Sequence, residues 1–90
     1  MPNHRLSSVY DTIDGVKVRI ARSARKHRIG NVHILAALAG ARVVAEVGDQ
    51  VVYVGVDDRG LELELILIPD DRDPNAFTVI HAMPNDWRKP

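Results

Sequence analysis

His27 and His81 are the side chains of this sequence best suited to passing a proton near neutral pH in a charged setting. His27 is followed by Arg28 and preceded by Arg25 and Lys26, with Arg22 a little earlier. His81 lies near the end of an apolar run, Ala76 to Met83, where a side chain can reach a groove. The functional reading of His27 is a proton donor or acceptor flanked by cations. Packing gives a plainer account of each histidine, as a buried ring bonded to a carbonyl. Arg59 in a turn, and Arg88 with Lys89 near the end of the chain, complete the cationic candidates. The other histidines, His4 and His33, are not at metal-ligand spacing from these. There is no cysteine, so thiolate catalysis, disulfides and cysteine-based metal sites are excluded, and no metal or cofactor is expected.

These residues need elements to hold them. The clearest is Leu61 to Ile68, where Leu61, Leu63, Leu65 and Leu67 alternate with Glu62, Glu64, Ile66 and Ile68. Alternation with a period of two is a strand with an apolar face. Arg42–Val47, Val51–Val56 and Ala76–Met83 are the other predicted strands, joined by Gly48-Asp49-Gln50, Asp57-Asp58-Arg59-Gly60 and the acidic loop 69–75. Earlier in the chain, Val16, Ile20, Ser23, Ala24 and His27 fall on one third of a helical circumference, with cations on the rest. That spacing predicts an amphipathic helix over 16–28, with Asp14 as its cap. Gly30 or Asn31 opens a second helix that runs to about Ala39, and Gly40 closes it. The expected architecture is α+β: two N-terminal helices packed on a four-stranded antiparallel sheet. It forms one domain over residues 1–90, with a flexible start at 1–12 and a polar tail at 84–90.

A chain of 90 residues, 46% apolar and 27% charged, has room for one core and is not of disordered composition. Its longest apolar run, Ile34 to Ala39, falls far short of the ~20 residues a membrane span needs. Neither that nor a secretory h-region at residues 1–10 is present, so a cytoplasmic protein without a membrane partner is expected. The net charge of zero conceals a division. Residues 1–45 hold eight Lys or Arg and two Asp, and residues 46–90 hold four Lys or Arg and ten Asp or Glu. Six cations fall within residues 16–28 with no acid among them. Like charges this dense cost stability unless an anionic partner offsets them. RNA phosphates or an acidic protein segment would serve equally, and Arg22, Arg25, Lys26 and Arg28 are the RNA-binding candidates in the first case.

The segment Ala24-Arg25-Lys26-His27-Arg28-Ile29, a short helix ending in Ala36-Ala37-Leu38, and then Val43-Val44 resemble bacterial toxins of the RelE/ParE superfamily, nearest its BrnT-like branch. The order of Val54-Gly55-Val56-Asp57, Arg59-Gly60-Leu61-Glu62-Leu63, Val79 to Pro84 and Arg88-Lys89 is similar as well. The resemblance implies a type II toxin that cleaves mRNA, on or off the ribosome, without a metal. A cognate antitoxin would neutralise it and would alone contact operator DNA. It also implies that His27, Arg59, His81, Arg88 and Lys89 form the catalytic set. Two positions depart from the pattern: Arg28 stands where relatives carry glycine, and the chain stops at Pro90. An interaction module that binds an antitoxin-like protein without catalysis, or a small nucleic-acid-binding regulator, is the competing expectation.

Overall fold

Asp14 and Gly15 decide how the fold begins. Both have positive φ, 52° and 82°, the pairing required by the two-residue turn that matches strand twist. They join β1 (Asp11–Ile13) to β2 (Val16–Ile20), with Asp11 opposite Val18 and Ile13 opposite Val16. The predicted helix over 16–28 is therefore not formed. Val16, Val18 and Ile20 alternate with Lys17 and Arg19, and all three apolar residues are β-branched, which favours an extended chain. Only Arg22–Arg25 coils, into a single 3-10 turn.

The computed structural model describes residues 10–85. After the 3-10 turn come the one α-helix among these residues, α1 (Asn31–Ala39), and then β3 (Arg42–Val47), β4 (Gln50–Val56), β5 (Glu62–Pro69) and β6 (Ala76–Pro84). The strands form a six-stranded sheet in the order β1-β2-β6-β5-β4-β3. β2 lies parallel to β6, and every other neighbouring pair is antiparallel. The expected two helices on a four-stranded antiparallel sheet are thus replaced by one helix on a mixed sheet of six strands. The residues assigned to the first helix supply a sheet strand instead.

Leu63, Leu65 and Leu67 meet Ile34 and Ala37 of α1 in the core, with Val18, Val79 and Ala82 around them. Gly55 of β4 lets the helix come this close. A Cβ there would lie 2.1 Å from the carbonyl oxygen of Ala37. An irregularity in β6 decides which way His81 points. Leu67 pairs with Val79, whereas Ile66 pairs with His81, so β6 takes two steps where β5 takes one. This bulge puts Val79 on the helix-covered face and His81 on the other. A regular strand would have kept His81 on the face of Phe77 and Val79, as its sequence spacing predicts.

Asp70 ties the added strands to the rest. Its carboxylate accepts from the Tyr10 hydroxyl at 2.6 Å, the Thr78 hydroxyl at 2.6 Å and Arg19 Nε at 2.9 Å. The backbone amides of Arg72 and Asp73 also donate to it, each at 3.0 Å. Burial alone would raise its pKa, but these donors outweigh that and hold it well below the usual carboxylate range.

Candidate functional site

The segment from Ala21 to Gly30 leaves β2 and runs past the middle of β6 before entering α1. Two hydrogen bonds fix it there: Ala21 N donates to Val79 O at 2.9 Å, and Ser23 Oγ donates to Ile80 O at 2.8 Å. Ala24 and Ile29 are buried and anchor the loop in the core. With its small and apolar residues turned inward, Arg22, Arg25, Lys26, His27 and Arg28 are left exposed. Among the described residues, none of the four cations makes an ion pair. Arg28 has φ 60°, and its amide closes the turn on Arg25 O at 2.9 Å. That left-handed conformation is one glycine adopts freely and an arginine adopts only at a cost.

The loop brings His27 to His81. Their rings meet edge to face, with centroids 5.8 Å apart and planes at 81°. Behind His81, its Nε2 lies 3.3 Å from Oε1 of Glu64 on β5. That nitrogen is shut off from solvent, and the approach is not aligned as a hydrogen bond. Two imidazoles and a carboxylate therefore meet where the loop crosses β6, and the same loop carries four cations that make no ion pair among the described residues. Such a group can move protons and can attract phosphate.

The other candidates are elsewhere. Arg59, in the β4–β5 turn, is held by Asp57 through Nε at 2.9 Å and Nη2 at 2.6 Å. Since His81 is opposite Ile66, four residues beyond Glu62 at the start of β5, Arg59 stands about 13 Å or more away along the strand. Burial would raise the pKa of Asp57, but Arg59 and the amides of Arg59 and Leu61 bring it below the ordinary value. Arg88 and Lys89 lie outside the described residues. Lys17 and Arg19, the first two of the predicted basic face, point away from the helix side. Lys17 pairs with Asp73, and Arg19 with Asp70 and Asp71.

Glu64 was not among the residues singled out from sequence. Its alternation with the leucines marks it as facing away from the core, but only the register of β6 reveals its neighbour. One group among the described residues gathers metal-binding side chains: His33, Asp57 and Asp58. His33 Nδ1 lies 2.6 Å from Asp58. Both oxygens of Asp57 are already occupied by the donors of Arg59 and Leu61. A divalent ion would have to displace a guanidinium to bind, so this group fits turn closure better than a metal.

No helix among the described residues is long and apolar enough to cross a membrane. No protein-family model, curated protein or solved structure matches this chain.

Proposed function

We propose that the protein binds RNA through the loop 21–30 and cleaves it without a metal, using His27 and His81 as the proton-transfer pair. One histidine takes the proton of a ribose 2′-hydroxyl as that oxygen attacks the adjacent phosphorus. The other gives a proton to the 5′-oxygen that leaves, so the products are a 2′,3′-cyclic phosphate and a 5′-hydroxyl. Arg22, Arg25, Lys26 and Arg28 attract the phosphates and stabilise the charge on the phosphorane. The supporting observation is the contact of the two imidazoles, 5.8 Å between centroids, on a loop with four cations that make no ion pair among the described residues. Growth inhibition as a toxin, relieved by a cognate antitoxin, belongs to the same proposal.

The test is purified protein incubated with mRNA in the presence of chelator, with and without ribosomes. Cyclic or 3′-phosphate ends are expected, and His27→Ala or His81→Ala should each lower the rate by about 10²- to 10⁴-fold. Absence of cleavage in both formats, together with normal growth on expression, would remove the enzymatic reading.

A second reading rests on a different observation. The His81 side chain is only 29% exposed, while the cations face solvent. This suits a module that holds an acidic partner, such as an antitoxin-like protein, and leaves it uncut. In that case charge reversal at Arg22 and Arg25 abolishes binding, and His81→Ala changes nothing.

A further inference from the structure

We infer that Glu64 is a positioning residue that fixes the tautomer of His81, so that Nδ1 is the nitrogen that exchanges a proton with the substrate. This deepens the nuclease reading and rests on it for its catalytic consequence. The two ring nitrogens of His81 face different surroundings. Nε2 is buried, and within hydrogen-bonding distance of it no donor or acceptor is aligned. A buried nitrogen in that state needs a partner, and the carboxylate oxygen of Glu64 is 3.3 Å away.

The strand register holds this pair together. His81 is opposite Ile66, and Glu64 is two residues before Ile66 in β5 on the same face, making it a diagonal neighbour of His81. The Glu64 side chain is 15% exposed, so its charge is poorly screened by water. A carboxylate accepts and cannot donate. It therefore favours the form of His81 that carries hydrogen on Nε2, and a small turn of either side chain aligns the bond. The lone pair is then left on Nδ1, the nitrogen not enclosed with Glu64.

The two nitrogens of His81 can be told apart by long-range proton–nitrogen correlation spectra of the uniformly labelled full chain, recorded above the histidine titration. Wild type should show one tautomer, hydrogen on Nε2. In Glu64→Gln the amide can donate as well as accept, and in Glu64→Leu neither is possible, so both variants should populate both forms. In cleavage assays each variant should lose about 10- to 100-fold in kcat, part of what proton transfer contributes. KM should change little, because the loop cations are untouched. Spectra of His81 unchanged in both folded variants would overturn the inference, as would hydrogen on Nδ1 in wild type. If the tautomer responds as expected and no RNA is cleaved, the assignment of Glu64 stands and the nuclease reading alone fails.

Discussion

Arg28 and Asp70 show at the scale of single residues where this chain spends stability and where it gains it. Arg28 holds a positive φ that costs an L-residue roughly 1–2 kcal/mol. Strain of this kind beside a pair of histidines suggests a use for the side chain. Arg28→Gly should accordingly act in opposite directions on two measurements. Melting temperature should rise, by an amount equivalent to about 1 kcal/mol or less once the extra freedom of glycine in the unfolded chain is counted. RNA affinity should fall if the loop holds phosphates as proposed, since one cation is removed. If both fell together, Arg28 would be a structural residue. Asp70 gives the opposite case, with its carboxylate buried under five donors. Its folded-state pKa is depressed, whereas an unfolded aspartate titrates near ~3.9. The stability it supplies is therefore fully present above about pH 4 and is lost as pH falls through the folded-state value. Acid unfolding of the wild type should steepen below pH ~4 for this reason. Asp70→Asn should be less stable at neutral pH, by about 2–3 kcal/mol for donors left unpaired, and should show a flatter acid limb. Chemical denaturation at stepped pH measures both.

Between residues and the whole molecule, legibility depended on whether one periodicity could win. β4 and β5 were legible because β-branched residues and alternating leucines admit no helical reading, and α1 because Asn31 and Gly40 bracket it. Residues 16–20 were not. Val16 and Ile20 are four apart, which suits a helix and a strand equally. Val18 should have decided it: alternation makes it a core residue, and it is 2% exposed. The dense cations around it hide that signal, and Asp14, the expected helix cap, instead forms a hairpin turn with Gly15. The bulge in β6 left no mark in the sequence, so the side of the sheet taken by His81 could not be read. Two glycine substitutions test the elements as built. Gly15→Ala, at φ 82°, should cost about 1 kcal/mol and loosen the β1–β2 hairpin, seen as faster amide exchange there. Gly55→Ala meets the Ala37 carbonyl 2.1 Å away and should cost about 3 kcal/mol, the upper end for overpacking. An unchanged melting temperature would mean that α1 does not rest on β4 at this point.

For the molecule as a whole, the division of charge along the sequence is partly cancelled in three dimensions. The acidic loop after β5, which has no functional account in sequence, lies against β2 because β2 runs parallel to β6. Asp70, Asp71 and Asp73 there take up Lys17 and Arg19. Of the six cations between residues 16 and 28, two are thus neutralised internally and four remain on one loop. This subtraction sets the size of the electrostatic footprint. Each single-strand phosphate neutralised contributes about −0.7 to the slope of log affinity against log salt, so four contacts give roughly −3. Six would give roughly −4. Titration of a fluorescent single-stranded RNA over a range of salt should return the smaller figure. Reversing the charge of Lys17 should leave the slope unchanged, whereas Arg25→Ala should reduce its magnitude by about 0.7. A slope near zero in wild type would mean that the loop does not bind phosphate, and the site would lose its proposed substrate.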